Sequence, residues 1–464
     1  MNGPFALSQL EKVLSGRLVG ADLSINGVST DTRNINAGDL FIALKGENFD
    51  AHHFIDQAAD SGAAAVVVEH QVDTDLPQLI VADTRLALGV IAQFNRDQFK
   101  GALFAITGSS GKTTVKEMLA AISAERGQTL ATLGNLNNDI GVPLTLLRLS
   151  EGDRYAVIEM GASGPDEIAY STGLARPDVA LLNNALGAHL EGFGSLQGVV
   201  DAKAEIFSGL TEQGTAVVNL DDPHSSVWLE GLQQQPVLTF SMSETEAGKA
   251  DVSATDIQLQ SSGCYRFNLN FKDQVQPVTL SLLGRHNVAN ALAAATAAIA
   301  DGCELATVAT GLANCRTVAG RMQPIQLHPS TLLIDDSYNA NPSAVKVAID
   351  ALTELDGEAV LVLGDMGELG SDEVEQHRDV GRYAAAKDVK RLFTCGKLCI
   401  AAVEGYLEAG GSEAMNLESR DALVAHLSNL PASQFSKQRN ILVKGSRSAA
   451  MDQVINGLVN GGAC

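Results

Sequence analysis

Short aliphatic runs alternate with longer segments of helical periodicity along most of the chain. Near the N-terminus, residues 40–44 (LFIAL) and 64–68 (AAVVV) are apolar at every position. A short, purely aliphatic run is typical of a strand that is covered on both faces, as in a parallel sheet. Similar runs predict strands in the rest of the chain, at 103–106, 156–158, 179–182, 216–218, 332–334, 360–363, 391–393 and 441–443.

One stretch departs from this rhythm. Residues 239–283 alternate polar and apolar positions, which is typical of antiparallel strands with one solvated face. We therefore predict an antiparallel insertion at the edge of a sheet. The Ala-rich run 287–301 that follows predicts a helix.

The alternation of strands and helices predicts an α/β fold with doubly wound parallel sheets. At roughly 150 residues per domain, the length suggests three domains, and we place them at 1–98, 99–315 and 316–464. In the last block, four strands end at polar residues or glycine, namely Asp335, Gly364, Thr394 and Lys444. Ligands of open α/β sheets meet the carboxyl ends of the strands, so these tips form a candidate site.

Composition and charge narrow the class of protein. The chain carries 32 Lys and Arg against 55 Asp and Glu, a formal net charge of −23. A partner that is a nucleic-acid polymer or an anionic membrane surface requires a basic footprint, so we expect neither. With 45% hydrophobic residues, the chain is too apolar for disorder. A soluble acidic enzyme or binding protein remains.

No segment of the chain suggests export or membrane insertion. Residues 1–17 lack the basic and apolar parts of a signal peptide, and the apolar run 288–300 is too short to span a bilayer. The six cysteines show no Cys-x-x-Cys or Cys/His metal spacing. We expect reduced structural thiols in a cytoplasmic protein.

The strongest chemical signal is the segment TGSSGKTT at 107–114, between a predicted strand and a helical pattern. Glycines let the backbone wrap around a phosphate, which the amides and the helix N-terminus then bind. Lys112 would reach the outer phosphates, and the Thr113 hydroxyl would ligate Mg²⁺. Ile106 stands where the long form of this motif has Gly, and an ordinary turn that caps a helix is the alternative. The predicted phosphate-binding residues are Gly108, Ser109, Ser110, Gly111, Lys112, Thr113 and Thr114.

Three further motifs accompany this shortened loop. They are NLNN at 135–138 followed by Gly141 and Pro143, DDSYNANP at 335–342, and GDMGELG at 364–370. With these motifs the whole chain resembles the Mur ligase family, the ATP-dependent amide-forming enzymes of peptidoglycan precursor synthesis. The resemblance implies an N-terminal α/β uridine-nucleotide-binding domain, a central P-loop ATPase-like parallel-sheet domain and a C-terminal Rossmann-like domain.

Candidate metal-binding residues are indicated partly by their position at the ends of predicted strands and partly by the family resemblance. Glu159 ends a predicted strand beside the phosphate loop, where a carboxylate is either a Mg²⁺ ligand or a solvated side chain. His189 and Lys203 match the family's metal-ligand His and its carbamylated Lys. By pattern alone, His189 would be structural or exposed, and Lys203 would be a surface lysine offset by Glu205. The resemblance implies two Mg²⁺ ions held by Thr113, Glu159, His189 and Lys203, with Lys112, His189 and Lys203 as the catalytic residues.

Three more positions match residues that contact ATP in the family. Asn290 corresponds to an Asn at the adenine ring, Arg321 to an Arg at the phosphates, and Asp336 to a third-domain residue at the nucleotide. Each has an ordinary alternative, such as capping a helix or closing a turn.

Substrate-binding residues are implied in two regions. Segments 29–33 and 45–52 look like the family's uridine-nucleotide contacts, although Ala51 stands where relatives often carry Gly. Lys444 and the residues after it either bind an anionic peptide end or have a structural role. The implied substrate-binding residues are Ser29, Thr32, Arg33, Lys45, Asp50, His52, Asn135, Asn137 and Asn138.

The motifs look like the family member that joins UDP-N-acetylmuramoyl-tripeptide to D-alanyl-D-alanine. That reaction consumes ATP, passes through an acyl phosphate and implies a cytoplasmic enzyme, which we expect to be a monomer. Alternatives are a family ligase that adds one amino acid, a folylpolyglutamate synthase, or a P-loop module that hydrolyses ATP without joining anything. The Asn-rich segment and the motif at 364–370 argue against the first two.

Overall fold

The computed structural model describes residues 1–46, 49–187, 190–430 and 438–461. Within these ranges the chain forms main sheets of five, nine and six strands, together with one two-stranded pair. Most neighbouring strands of the main sheets are parallel, and helices follow them along the chain. This arrangement confirms the predicted α/β fold.

The N-terminal part carries the five-stranded sheet and the two-stranded pair. Its elements are β1 (Phe5–Ala6), α1 (Leu7–Leu14), β2 (Arg17–Val19), β3 (Ser24–Ile25), β4 (Gly27–Ser29), β5 (Asp39–Ile42), α2 (Ile55–Asp60), β6 (Ala65–Val68), β7 (Gln78–Ile80) and α3 (Thr84–Gln98). The sheet order is β2-β7-β6-β5-β4, with only β2 antiparallel to its neighbour. The aliphatic runs at 40–44 and 64–68 contribute β5 and β6, which are buried along their whole length.

The central part carries the nine-stranded sheet. Its elements are β8 (Ala102–Thr107), α4 (Lys112–Ala124), β9 (Thr129–Ala131), α5 (Gly141–Leu146), β10 (Tyr155–Glu159), α6 (Glu167–Ala175), β11 (Val179–Leu182), α7 (Leu190–Phe193), α8 (Leu196–Ala204), β12 (Thr215–Asn219), α9 (Ser225–Gly231), β13 (Val237–Ser241), β14 (Val252–Leu259), β15 (Cys264–Phe271), β16 (Gln274–Leu283), α10 (His286–Ala300) and α11 (Leu305–Asn314). The order is β16-β15-β14-β13-β12-β11-β8-β10-β9. The predicted edge insertion is therefore present, but it begins later than expected, because β13 still pairs in parallel and only β14 to β16 are antiparallel.

The last part carries the six-stranded sheet. Its elements are β17 (Gln323–His328), β18 (Thr331–Asp336), α12 (Pro342–Thr353), β19 (Glu358–Gly364), α13 (Glu373–Ala386), β20 (Arg391–Cys395), α14 (Cys399–Glu408), β21 (Glu413–Leu417), α15 (Arg420–Ser428), β22 (Arg439–Lys444) and α16 (Asp452–Gly461). The order is β17-β18-β22-β19-β20-β21, and only β17 is antiparallel. The four predicted tips consequently lie at one edge of the sheet.

Buried polar side chains join the N-terminal part to the central part. The Arg96 guanidinium, on α3, donates from Nε to the Ala175 carbonyl at 2.7 Å and from Nη2 to the Arg176 carbonyl at 2.9 Å. Its neighbour Asn95 donates to the carbonyls of Leu146 and Leu149 at 2.8 and 3.2 Å. One continuous apolar core extends across the same junction. The two parts therefore pack as a single unit.

No helix among the residues that the structure describes is long and apolar enough to cross a bilayer. Five cysteines, Cys264, Cys303, Cys315, Cys395 and Cys399, are free thiols.

Candidate active site

The phosphate loop connects β8 to α4 at the carboxyl edge of the central sheet. Gly111, the residue before α4, has a φ of +78°, and a Cβ there would lie 2.5 Å from Asn290 Oδ1 and 2.7 Å from Asn183 Nδ2. Only glycine fits this position, because both the backbone conformation and the space exclude a side chain. No side chain caps α4. The first N–H groups of a helix lack intrahelical acceptors, and here they are available to an anion.

The tip of β11 holds the loop in place. The Ser110 N–H donates to Asn184 Oδ1 at 2.9 Å, and the Asn184 amide donates back to the Ser110 carbonyl at 3.1 Å. The Ser109 hydroxyl donates to the Leu186 carbonyl at 2.9 Å. These contacts fix the loop before any ligand binds.

A cavity of 270 Å³, the first cavity, lies on one side of the loop. Its floor is an amide chain in which Asn290 donates to Asn287 at 2.9 Å and Asn183 donates to Asn290 at 3.4 Å. Half-buried His286 also lines it, and burial together with Lys444 lowers the pKa of this histidine to about 4. Of the residues predicted to bind ATP, the cavity is lined by Ser109, Ser110, Gly111, Thr114, Asn290, Arg321 and Asp336.

A second cavity of 260 Å³ lies on the other side of the same loop. Arg321 and Tyr338 line both cavities, with the Arg321 guanidinium 4.4 Å from the centre of the Tyr338 ring. The central and last parts of the chain therefore meet at the phosphate loop. Of the predicted site residues, the second cavity is lined by Gly108, Ser109, Ser110, Gly111, Lys112, Thr113, Asn135, Asn137, Asn138, Glu159, Lys203 and Arg321.

Glu159 is the buried carboxylate of the second cavity. The Thr113 hydroxyl donates to its Oε2 at 2.9 Å, and the Asn137 amide donates to its Oε1 at 2.7 Å. The Glu159 N–H in turn donates to the Thr132 hydroxyl at 2.9 Å. The side chain is thus oriented at the end of β10, with an alcohol and a carboxylate side by side.

Two lysines approach the same cavity. Lys112 Nζ donates to the Gly108 carbonyl at 2.7 Å, and burial lowers the pKa of this lysine, with Glu159 opposing that shift. Lys203 is only 2% exposed, and burial together with the charge of Lys112 lowers its pKa to about 7. Its Nζ lies 5.3 Å from the centre of the Phe193 ring. The pattern-based expectation of a surface lysine is therefore wrong. Glu205 instead accepts the N–H groups of Asp166 and Ala169 at the start of α6.

Lys444 and Asp336 form a buried ion pair at two adjacent strand tips. Lys444 Nζ lies 2.6 Å from Asp336 Oδ2 and donates to the Asn339 carbonyl at 2.9 Å. Lys444 is 4% exposed and lines the first cavity, with its ammonium held by these two partners. Burial raises the pKa of Asp336, although Lys444 opposes the shift.

The predicted uridine-nucleotide residues lie apart from both cavities, on the N-terminal part. The Ser29 hydroxyl donates to the Asp31 carbonyl at 2.9 Å, and Arg33, which is exposed, pairs with the Asp31 carboxylate at 2.6 Å. Residues 32–34 form a short 3₁₀ helix that begins at Thr32. Among the residues described, those predicted here, Ser29, Thr32, Arg33, Lys45, Asp50 and His52, line neither cavity.

A backbone bridge and a side-chain pair order the second predicted segment. Lys45 pairs through its backbone with Asp50. His52 Nδ1 lies 2.6 Å from Asp50 Oδ1, and His52 Nε2 accepts the Glu69 N–H at 2.9 Å. The predicted metal ligand His189 lies outside the described residues.

Several residues that shape the site are not among the predicted site residues. Asn183, Asn184 and Thr132 are polar residues at strand tips, a pattern that could have marked them. Tyr338 lies within the motif at 335–342. Lys116 gives no comparable signal, because its place depends on how distant elements pack.

Comparison with known proteins shows which family this chain belongs to. Models of the Mur ligase family catalytic domain, the Mur ligase middle domain and the Mur ligase glutamate ligase domain match residues 24–97, 106–298 and 320–447. The chain belongs to the Mur ligase family. This Mur ligase is 48% identical over 458 residues to the UDP-N-acetylmuramoyl-tripeptide–D-alanyl-D-alanine ligase of Escherichia coli K12, covering 99% of each chain.

Solved structures match this Mur ligase over its whole length. A crystal structure of MurF from Acinetobacter baumannii superposes with a TM-score of 0.92 at 36% identity, covering 99% of each chain. MurF from Thermotoga maritima in complex with ADP gives a TM-score of 0.83 at 28% identity, covering 94% of this chain and 98% of that one. The three-domain architecture is thus that of the family.

Proposed function

We propose that this Mur ligase joins D-alanyl-D-alanine to UDP-N-acetylmuramoyl-tripeptide with hydrolysis of ATP to ADP and phosphate. The observation that carries this is the second cavity, where Lys112, Glu159 and Lys203 of the central part face Arg321 of the last part. The full-length similarity to the Escherichia coli enzyme supports the choice of substrates.

The phosphate loop separates nucleotide binding from chemistry. In the proposed complex the adenosine occupies the first cavity and the terminal phosphate projects past Gly111 into the second. Lys112 leaves the Gly108 carbonyl and follows the phosphate charge, while the free N–H groups at the start of α4 hold the oxygens. Donors that are already oriented lower the barrier, because little reorganisation is needed during reaction.

A carboxylate is a poor electrophile and has to be activated. An oxygen of the tripeptide carboxylate attacks the γ-phosphorus, ADP leaves, and an acyl phosphate forms. The dipeptide amine then attacks the acyl carbon and loses a proton, and phosphate leaves from the tetrahedral intermediate, carrying that proton as hydrogen phosphate, as the amide bond forms. Arg321, stacked on Tyr338 beside both cavities, would neutralise part of the negative charge. Two facing domains also exclude water, which would otherwise hydrolyse the acyl phosphate.

The donors at the second cavity fit Mg²⁺. This ion prefers oxygen ligands, and the Thr113 hydroxyl and the Glu159 carboxylate already lie 2.9 Å apart. We propose that they hold one ion and that a carbamylated Lys203, with His189, holds a second. Carbamylation requires a neutral amine, and a pKa of about 7 supplies one near neutral pH. Bound Mg²⁺ supplies charge neutralisation between two anions that must approach each other.

Phosphate release with UDP-N-acetylmuramoyl-tripeptide, with and without D-alanyl-D-alanine, tests the proposal. We expect release that depends on the dipeptide and an amide product by mass spectrometry. Release that ignores the dipeptide would instead indicate a P-loop ATPase, and a product only with a single amino acid would indicate another ligase of the family. Comparing tripeptides with lysine or diaminopimelate at the third position would define the acceptor.

Further proposals concern the oligomeric state, location, substrate contacts and domain boundaries of the protein. We propose a monomer that acts in the cytoplasm, where the nucleotide-linked precursor and ATP are present. We also propose that Asn135, Asn137 and Asn138 contact the tripeptide and that the six predicted N-terminal residues contact the uridine nucleotide. We also propose domain boundaries near residues 98 and 315.

A further inference from the structure

Lys116 is a buried lysine that takes no part in the proposed reaction. It lies on α4, three residues after Thr113, and is only 1% exposed. Its Nζ donates to the Thr132 carbonyl at 2.8 Å and lies 2.6 Å from the Glu117 carboxylate. Glu117 is partly exposed, so only the lysine of this pair is buried, and burying a charged group costs free energy. The ammonium group therefore calls for an explanation beyond filling space.

Thr132, the partner of Lys116, connects three elements of the site. Its N–H donates to the Val157 carbonyl at 3.1 Å, continuing the pairing of β9 with β10. Its carbonyl accepts from Lys116, and its hydroxyl accepts the Glu159 N–H at 2.9 Å. All its polar groups are thus engaged, and they fix the end of β9 to both α4 and the end of β10.

The segment that begins at Thr132 makes a second contact with Glu159, through Asn137. Asn137, five residues on, donates its amide to Glu159 Oε1 at 2.7 Å, and its own carbonyl accepts the Gly161 N–H at 2.7 Å. The third support of Glu159 is Thr113, one turn before Lys116 on the same helix. Two of the three supports therefore pass through the segment that Lys116 anchors.

We propose that Lys116 is a positioning residue for Glu159. Its ammonium anchors Thr132, and through Thr132 and Asn137 it sets the orientation of the carboxylate. This inference rests on the proposed function, which assigns that carboxylate to Mg²⁺. Partners that orient a metal ligand typically change metal affinity by about 10- to 100-fold when they are removed.

Binding of Mn²⁺ in the presence of ADP, followed by electron paramagnetic resonance, tests the inference. Lys116→Met fills the same space without the donor, and we expect it to weaken Mn²⁺ binding about tenfold or more. Lys116→Arg, which keeps a buried cation able to donate, should recover most of the affinity. Ser123→Ala, at a buried position later on α4, is the matched control.

A second pair of variants covers the case in which Lys116→Met does not fold. Thr132→Val removes the hydroxyl that accepts the backbone N–H of Glu159, whereas Thr132→Ser keeps it. Weak Mn²⁺ binding in the Val variant alone supports the inference. The inference is overturned if Thr132→Val binds Mn²⁺ with an affinity within twofold of wild type, and if Lys116→Met, provided that it folds, does the same. The measurement needs neither peptide substrate, so a wild-type enzyme that forms no amide would refute the proposed function without affecting this result.

Discussion

The Thr113 hydroxyl donates to the Glu159 carboxylate across 2.9 Å, from the first turn of α4 to the end of the neighbouring strand β10. These two side chains meet because β8, which leads into the phosphate loop, pairs in parallel with β10. Binding of an ion would therefore need a small side-chain adjustment and no movement of the sheet.

Lys112→Ala should abolish turnover while the fold is kept. The lysine is the one ammonium of the phosphate loop, and loss of a preorganised donor to developing charge typically costs about 100- to 1,000-fold in kcat. Phosphate release measures the effect, and circular dichroism checks the fold. Lys12→Ala, at an exposed lysine on α1, is the control. Full activity of Lys112→Ala would refute the phosphate-loop assignment.

Gly111→Ala should raise the KM for ATP at least tenfold and lower stability. The φ of +78° disfavours any side chain, and the new Cβ would lie 2.5 Å from Asn290 Oδ1. Gly173→Ala, in the last turn of α6, is the matched control, because its new Cβ would meet open space outside the helix's own backbone. That control should be neutral or stabilising by about 0.5–1 kcal/mol. A Gly111→Ala enzyme with normal KM would mean that the loop can relax away from Asn290.

Lys203 should make the stability of the protein depend on pH. Burial lowers its pKa from the ordinary value of 10.5 to about 7 in the folded protein, so the unfolded state binds more protons between these two values. Stability of wild type relative to Lys203→Met should therefore rise with pH from about 7 to 10.5, by up to about 1.4 kcal/mol per pH unit. Urea unfolding in buffers free of CO₂ measures it.

A control and a contrary outcome accompany this experiment. Lys249→Met, at an exposed lysine, is the matched substitution. If the stability difference between wild type and Lys203→Met were the same at pH 7 and pH 10, Lys203 would not be buried as an amine.

The Lys444–Asp336 pair should show strong coupling. Lys444→Met leaves a buried carboxylate without its cation, and breaking such a pair typically costs about 3–5 kcal/mol. The double variant Lys444→Met/Asp336→Asn should be less destabilised than the two single variants added together, because neither charge is left alone. Thermal unfolding of the four proteins gives the coupling. Additive effects would show that the two side chains act independently.

The sequence predicts local features of this protein well. Aliphatic runs such as 64–68 and 179–182 become buried strands, because each lies between layers of helices, and the glycines of the phosphate loop indicate its backbone path. Lys203 shows why other features are hidden. Its spacing from Glu205 is typical of an exposed pair, yet the packing of α8 buries Lys203. Glu205 instead accepts a hydrogen bond at the start of α6. Lys116 likewise meets Thr132 only because β9 lies beside β10.

The hydrogen bonds that Asn95 and Arg96 donate to backbone carbonyls limit how domains could be exchanged between this enzyme and its relatives. Each side chain recognises backbone positions on the neighbouring domain, and a graft that replaced only the first domain would have to reproduce those positions within a few tenths of an ångström. A chimera intended to accept a different nucleotide-linked substrate should therefore exchange the N-terminal and central parts together as one piece and keep the last part unchanged.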